Sequence, residues 1–365
     1  MDVSQALAGV QFLRGVSLKE LNHRAQLFEL WSLPAGQALW LQGEDAQELA
    51  ILLSGKLAAE VDQRAVGQVD PGELVGEGAA FLRAHRRIAS VRAAQDSVIA
   101  SLRSVRLRQL RREGSEVYDH LLDQALRCMN RRVRDSARHI SRLAQGDMQA
   151  PKREETSAAV SLWRKLVQSR PGSGAPAIEP LLRGLPGLHD IPDNVMTHLA
   201  ACFVEEPMQE GQVVTLQAEE ADCAWIVAEG ELDVLRHVSG TRASWLTTMG
   251  PGDFFGANAL VEQERRLASC VAVTRGWLFR IDRAQFADPP PIVGNILREA
   301  MLATLATQLE RSNRVLRDAL DSPNETNLLK SMGHLESYDS RDMSLDSVDL
   351  ALTYDGPLKL DAQDP

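Results

Sequence analysis

The sequence lacks the features that mark several large classes of protein. No stretch of its 365 residues is apolar for long enough to span a bilayer. The first residues lack the basic region and apolar core of a secretory signal. The four cysteines are scattered and form no C-x-x-C pair, which favours buried thiols over a disulfide framework. These absences predict a cytoplasmic protein without a membrane segment.

Motifs of common enzyme classes are missing as well. The chain has no G-x-S-x-G, no P-loop lysine motif and no H-E-x-x-H. Metal-dependent enzymes built on small β-barrels need two or three His and a carboxylate at close strand spacing. The eight histidines of this chain include no H-x-H pair. We therefore expect neither catalysis nor a metal site.

Negative charge is in excess, and its distribution is uneven. The formal net charge is −10, which argues against nucleic acid as the main partner. Residues 321–365 hold ten acids against three bases, a net charge of −7, with many Ser and few aromatic residues. This composition predicts a disordered acidic tail, because such a segment buries too little apolar surface to fold.

An internal repeat organises the chain from about residue 10 to residue 320. Glycine-bearing motifs recur in the same order at offsets of 175 to 180 residues. The matched glycines are Gly36 with Gly211, Gly55 with Gly230, and Gly72 with Gly252. A duplicated unit explains this agreement. We predict domains at 10–145 and 177–320, a linker with a short helix at 146–176, and the tail at 321–365.

Each copy of the repeat predicts a small β-roll. Short apolar runs are punctuated by glycine at the spacing of tight β-turns, which is typical of a roll or sandwich and not of βαβ units. A helical pattern follows each roll, at about 107–144 and at 292–320. Its apolar positions could seat the helix on its own roll or pair it with a second subunit in a homodimer. The predicted fold class is mainly β with flanking helices: two tandem, jelly-roll-like β-rolls joined by helices.

One motif in the first copy carries a resemblance to a known family. It reads Pro-Gly-Glu-Leu-Val-Gly-Glu at 71–77, followed by Arg87-Ile88-Ala89-Ser90. This closely resembles the phosphate-binding cassette of the cyclic-nucleotide-binding domain family, which includes the bacterial catabolite activator proteins and the regulatory subunits of the cAMP-dependent kinase. The upstream Leu-Pro-Ala-Gly, Gln-Gly-Glu and Leu-Leu-Ser-Gly motifs match in order and spacing. The resemblance covers both repeats and implies cAMP as the ligand, with cyclic di-GMP or cGMP as alternatives.

The resemblance assigns roles to the cassette residues of the first copy. A guanidinium presents paired donors to a cyclic phosphate, which is the role implied for Arg87. A carboxylate accepts from the ribose 2′-hydroxyl, which is the role implied for Glu77. We expect these two charges to hold each other in the empty site, the alternative being a plain surface salt bridge. The other implied contacts are a backbone cradle at Gly76, Gly78 and Ala79, a hydroxyl near the phosphate or base at Ser90, and apolar walls at Val75 and Val91.

The contact to the base is assigned to the helix after the roll. In catabolite activators a hydroxyl on this helix meets the adenine amino group. Residues 129–136 line up with that helix, and Ser136 falls at the hydroxyl position. The alternative is a solvated serine on a charged helix.

The second copy departs from the family pattern. Arg266 and Ser269 remain, but Ala257 stands where the ribose-binding Glu is expected. Loss of that carboxylate removes a charge-assisted hydrogen bond of roughly 1.5–3 kcal/mol, about one to two decades of affinity. We therefore expect the second unit to serve for packing or for a different ligand.

A transcription regulator of the catabolite activator type is the rival class. Such proteins carry a helix-turn-helix with a basic recognition helix. Residues 145–176 are too short and too broken by Pro and Gly to hold one, and the arginines at 103–142 are interpreted as a solvated helix face. We expect a bacterial, non-enzymatic sensor in which ligand binding at the first roll repositions its long helix and signals to a protein partner. A ligand-free interaction scaffold is the remaining alternative.

Overall fold

The computed structural model describes residues 2–81, 86–144, 174–185, 187–239, 242–262, 265–290 and 292–320. The predicted linker helix and the acidic tail lie outside these residues. The chain divides into two compact units, each considered by itself. Unit 1 comprises residues 1–132 and 295–310, and unit 2 comprises residues 133–294 and 311–365. The domain bounds drawn from the repeat remain a prediction.

Unit 1 is a β-roll of two antiparallel, four-stranded sheets. Its strands, in chain order, are β1 (Phe28–Leu33), β2 (Ala38–Trp40), β3 (Glu48–Ser54), β4 (Leu57–Val61), β5 (Arg64–Val69), β6 (Leu74–Val75), β7 (Ser90–Ala93) and β8 (Ser97–Arg103). One sheet has the order β1-β8-β3-β6, and the other has the order β2-β7-β4-β5. Side chains from both sheets fill the roll because alternate residues of a strand point to the same face. The buried cluster comprises Leu33, Trp40, Ala50, Leu52, Leu57, Val69, Val75, Val91, Ala93 and Ile99.

Helices flank the roll of unit 1. They are α1 (Val3–Ala8), α2 (Leu18–Ala25), α3 (Glu77–Phe81), α4 (Ser104–Arg112) and α5 (Glu116–Ala144). The prediction of one helix over 107–144 is wrong, since the chain breaks at Gly114 with a φ of +61°. That left-handed conformation is open to glycine and ends α4. The break separates α4 from α5.

Unit 2 repeats the same plan. Its strands are β9 (Val204–Met208), β10 (Val213–Thr215), β11 (Cys223–Glu229), β12 (Leu232–Ser239), β13 (Arg242–Met249), β14 (Phe254–Phe255), β15 (Ser269–Ala272) and β16 (Gly276–Asp282). Its sheets have the orders β14-β11-β16-β9 and β10-β15-β12-β13, which match those of unit 1 strand for strand. Its helices are α6 (Glu179–Gly184), α7 (Asp193–Ala200), α8 (Ala257–Val261) and α9 (Arg283–Ala287). The prediction of two tandem β-rolls with flanking helices is confirmed.

The last helix, α10 (Gly294–Leu320), contributes its residues 295–310 to unit 1. Asn295 Nδ2 donates to Asp119 Oδ1 at 3.0 Å, and Glu299 accepts from both Arg111 and Tyr118. The segment also buries Ala300, Met301, Ala303, Leu305 and Ala306. The heptad-like stripe of this helix is therefore covered within the chain. No helix among the described residues is long and apolar enough to cross a membrane.

Candidate ligand-binding site

Gly76 sets the path of the chain between β6 and α3. Its φ is +78°, in the left-handed region that favours glycine. A Cβ atom added there would overlap Arg87 Nη1 and lie 2.9 Å from the ring of Trp40. The sequence needs glycine at this position because the guanidinium of Arg87 passes directly against the backbone.

Arg87 is buried and incompletely paired. Only 5% of the residue is exposed, and its Nη2 donates to the backbone carbonyl of Glu48 at 2.8 Å. Nε and Nη1 are also buried, and neither has an acceptor among the described residues. Burial lowers the pKa of Arg87 to about 10, against the opposing charges of nearby acids, so it remains a cation at neutral pH. Buried donors without acceptors are rare, and here they are suited to an anion.

The indole of Trp40 covers this guanidinium. Arg87 Cζ lies 3.5 Å from the centroid of the Trp40 ring, a close cation–π contact. Trp40 is 6% exposed and belongs to the buried cluster of the roll. Trp40 was not predicted as a site residue, because an apolar residue on a short strand is equally consistent with ordinary core packing.

Glu77 opens α3 and is fully buried. Its Oε1 accepts a hydrogen bond from Arg132 on α5, and Arg132 Nη2 also donates to the carbonyl of Leu74 at 3.0 Å. Its Oε2 has no donor among the described residues. Burial raises the pKa of Glu77, and the positive charges of Arg132 and Arg131 offset part of that rise.

The expected ion pair between Glu77 and Arg87 is therefore wrong. Each charge has a different protein partner: Arg132 for Glu77 and the Glu48 carbonyl for Arg87. The surface salt bridge is equally wrong, since both side chains are buried. The interpretation of the helix arginines as solvated also fails at Arg132. The signal that could have found it is that a buried carboxylate needs a cation or a proton.

The rest of the cassette faces the helices. A Cβ on Gly78 would lie 2.8 Å from Met129 Cε and 4.0 Å from Ala306 Cβ. The cassette thus packs closely against α5 and against the α10 segment of unit 1. Ala79 is the third residue of α3, within the first turn, whose amides have no partner inside the helix.

The hydroxyl of Ser90 is tied to the neighbouring strand. Its Oγ accepts from the Gln42 amide at 2.9 Å, just beyond the end of β2. Val75 and Val91 are each 3% exposed and lie in the same buried cluster as Trp40. The structure therefore brings Val75, Ser90 and Arg87 to the same end of the roll as Trp40. Their contacts with a ligand remain predictions.

Ser136 lies on the part of α5 that belongs to unit 2. It is 6% exposed, and its Oγ has no hydrogen-bond partner among the described residues. The alternative of a solvated serine is wrong, because the side chain is buried. Its contact with a base stays a prediction.

Unit 2 anchors its arginine to the backbone carbonyl at the equivalent position. Arg266 Nη1 donates to the carbonyl of Cys223 at 2.8 Å, and Cys223 corresponds to Glu48 in the repeat. Gly256, with a φ of +77°, passes against the guanidinium as Gly76 does. Ser269 Oγ accepts from the Gln217 amide at 2.9 Å, as Ser90 accepts from Gln42. The framework of the site is thus retained.

Two aromatic rings stack in the buried cluster of unit 2. Trp225 stacks on Phe255 with centroids 5.2 Å apart and planes at 16°. Its Nε1 donates to Glu206 Oε2 at 3.0 Å, and Arg266 Cζ lies 4.8 Å from its ring. Ala257 is buried at the position of Glu77, so no carboxylate is present there. Unit 2 keeps the arginine without the polar partner that a ribose needs.

A surface cleft of about 1070 Å³ lies elsewhere in unit 1, between α1, the turn before β6 and α5. Its lining includes Gln5, Glu73, His120 and Arg127, but neither Glu77 nor Arg87. The described residues contain no group of three or more His, Cys, Asp or Glu that could hold a metal ion. The unmet hydrogen-bonding capacity, and not the cleft, marks the candidate site.

Comparisons with known proteins agree with this geometry. The family model described as "Cyclic nucleotide-binding domain" matches residues 30–113 and 205–288, once in each roll. Each matched segment is a β-roll in which an arginine lies against the glycine that begins the cassette. The chain therefore carries two cyclic nucleotide-binding domains in tandem.

Curated relatives match over a single domain. The CRP-like cAMP-activated global transcriptional regulator of Mycobacterium tuberculosis is 30% identical over 114 residues, 30% of this chain and 49% of the regulator. The cGMP-dependent protein kinase 2 of Homo sapiens is 26% identical over 92 residues, 25% of this chain and 12% of the kinase. The chain thus spans about half, or less, of the length of these relatives.

The solved structures that the chain matches include the regulatory domain of Toxoplasma gondii PKA with cAMP. It is 18% identical, with 81% of this chain and 94% of that chain covered and a TM-score of 0.30. The N-terminal domain of a transcriptional regulator from Streptomyces coelicolor is 24% identical, with 40% and 97% covered and a TM-score of 0.30.

Proposed function

We propose that the protein is a non-enzymatic cyclic-nucleotide sensor that binds its ligand in unit 1. The observation that carries this proposal is the pair of buried, unmet charged groups in one cassette. Arg87 has two nitrogens without acceptors, and Glu77 has one oxygen without a donor. Each such group costs about 1–3 kcal/mol when left unpaired. A cyclic phosphate on Arg87 and a ribose hydroxyl on Glu77 would satisfy both.

The ligand we propose is cAMP, with cGMP and cyclic di-GMP as alternatives. All three present a phosphodiester anion to a guanidinium, so the Arg87 contact does not discriminate among them. Support for cAMP comes from the regulator of Mycobacterium tuberculosis, which is described as cAMP-activated and is the more similar of the two curated relatives.

We propose that binding is transmitted by α5. Arg132 holds Glu77 from this helix, and Met129 lies directly behind Gly78 of the cassette. A hydroxyl that donates to Glu77 shares the carboxylate with Arg132, and any movement of the cassette displaces Met129. The helix has two positions, and the ligand shifts the population between them only if it binds one position more tightly. A cytoplasmic protein partner, not DNA, binds the helix in one of these positions.

Calorimetry of the full chain with each nucleotide tests this proposal. We expect cAMP to bind the wild type at one site per chain, and Arg87→Ala to weaken binding by at least about 100-fold. Arg266→Ala is the matched control, because it removes the equivalent arginine from unit 2, and it should leave the affinity unchanged. Loss of binding in Arg266→Ala with retention in Arg87→Ala would contradict the assignment to unit 1.

A ligand-free scaffold is the second candidate function. The observation that favours it is the indole of Trp40, which occupies the space over Arg87. The same titrations decide between the two functions, since a scaffold binds no cyclic nucleotide at any concentration.

A further inference from the structure

We propose that Trp40 is a displaceable gate of the unit 1 site. Its indole covers the Arg87 guanidinium at 3.5 Å in the closed state and has to move before a cyclic phosphate can reach Nε and Nη1. This inference rests on the proposed function and adds a regulation of the same site: the fraction of open gate sets the apparent affinity.

The position of Trp40 between the arginine and the roll interior supports this role. The ring lies against Arg87 on one side and near Gly76 on another, at the point where the cassette begins. A ligand phosphate bound to Arg87 and to the backbone that follows Gly76 would need this same space. The indole and the ligand therefore exclude each other.

Trp40 has few bonds that hold it in place. Among the described residues its indole N–H has no hydrogen-bond acceptor, and no aromatic ring stacks on it. The cation–π contact with Arg87 is its specific interaction. A phosphate offers the same guanidinium charge-assisted hydrogen bonds, which are stronger than a contact with a neutral ring. An exchange of indole for phosphate is therefore favourable for Arg87.

The indole that lies over the arginine of unit 2 is held by more interactions. Trp225 donates to Glu206 and stacks on Phe255. It lies on β11, which is paired on both sides by β14 and β16. Trp40 lies on β2, a three-residue strand at the edge of its sheet, and the pairing of β2 with β7 shifts register between Ala38 and Trp40. An edge strand with such an irregularity can move with less loss of hydrogen bonds.

The two indoles are also not equivalent in the repeat. Trp40 corresponds to Thr215, and Trp225 corresponds to Ala50, both at an offset of 175 residues. Each roll therefore places one indole against its arginine from a different strand. Thr215 shows that the roll accommodates a small side chain at the position of the gate, so Trp40→Thr is the natural variant to test.

Two measurements on the full chain test the gate with cAMP as the probe. Calorimetry should show about tenfold tighter binding in Trp40→Thr than in the wild type, which corresponds to a gate open about one tenth of the time. Trp225→Phe should bind as the wild type does. Fluorine NMR of protein labelled with 5-fluorotryptophan resolves the six tryptophans, and Trp40→Phe and Trp225→Phe assign the two signals. Addition of cAMP should move the Trp40 signal and leave that of Trp225 in place.

The possible outcomes separate the gate from the proposed function. Equal or weaker binding by a folded Trp40→Thr, with an unmoved Trp40 signal in a wild type that binds through Arg87, overturns the gate and leaves the sensor. Binding by Trp40→Thr but not by the wild type supports a gate that is rarely open. If neither protein binds any cyclic nucleotide, the sensor fails and the gate fails with it. If Trp40→Thr does not fold, the NMR titration of the wild type decides alone.

Discussion

The two rolls share their strand order and their turn glycines, yet the equivalent arginines have different hydrogen-bond partners. In unit 1 two nitrogens of Arg87 and one oxygen of Glu77 are buried without partners. In unit 2 both terminal nitrogens of Arg266 donate to Cys223, and Ala257 replaces the carboxylate. The glycines and the anchoring of the arginine belong to the fold. Among the described cassette residues, buried charged atoms without a partner occur in the first copy and not in the second, and a ligand would supply their partners.

The largest expected effect comes from the glycine that both copies need. Gly76→Val should destabilise unit 1 by about 3 kcal/mol or more and abolish cAMP binding, because it combines a strained φ with overlap on Arg87. Gly256→Val should destabilise unit 2 by a similar amount without changing the affinity. Chemical denaturation with calorimetry measures both. An equal loss of affinity in the two variants would break the distinction between the units.

Removal of the cation that faces Glu77 comes next. Arg132→Gln leaves a buried carboxylate without its ion pair, which should cost about 2–3 kcal/mol of the free energy of unfolding. The double variant Arg132→Gln/Glu77→Gln should recover most of this loss, since no buried charge remains. Urea unfolding of the four proteins measures the coupling. Additive effects would show that the two side chains do not interact.

A smaller effect, with a clear pH dependence, is expected for Glu77→Gln. Cyclic nucleotide affinity should fall about tenfold to 100-fold, because an amide accepts the ribose hydroxyl less strongly than a carboxylate does. Burial raises the pKa of Glu77 in the folded protein above its unfolded value. Between those two pKa values the folded chain holds a proton that the unfolded chain has lost, so wild-type stability falls as the pH rises.

Glu77→Gln has no ionisable group at this position, so its stability lacks this dependence on pH. Its free energy of unfolding should therefore exceed that of the wild type by more at pH 8 than at pH 5. Unfolding curves at a series of pH values check the sign. A wild type that gains stability over the variant as the pH rises would mean that the pKa of Glu77 is depressed instead.

The smallest effect compares two serines in the same setting. Ser90 and Ser269 each accept from a backbone amide at 2.9 Å. Ser90→Ala and Ser269→Ala should each cost about 1 kcal/mol of stability. A contact between Ser90 and the ligand predicts a further loss of affinity, roughly tenfold, in Ser90→Ala alone. Affinities that are equal in the two variants would give Ser90 a structural role only.

The roll architecture could be predicted because its determinants are local. Turn glycines, apolar runs and the repeat offset fix strands and corners within a few residues of each other. The break between α4 and α5 was missed, although Gly114 was visible, because a lone glycine inside a helical pattern is often tolerated.

The site itself was predicted in part. The motif indicated Glu77 and Arg87, but it could not show which residues contact each of these side chains. Arg132 lies 55 residues from Glu77, and Trp40 lies 47 residues from Arg87. Such contacts depend on how α5 and β2 pack against the cassette. The local sequence around one arginine of a charged helix, or around one tryptophan of a short strand, does not indicate that packing.

The α10 segment of unit 1 has a consequence for synthesis of the chain. Residues 295–310 emerge from the ribosome only after the whole second roll, although Tyr118 and Asp119 of the first roll find their partners there. The first roll can therefore assemble its sheets early but is completed last. A premature stop anywhere in the second repeat also removes residues 295–310, and it should therefore lower the stability of the first roll.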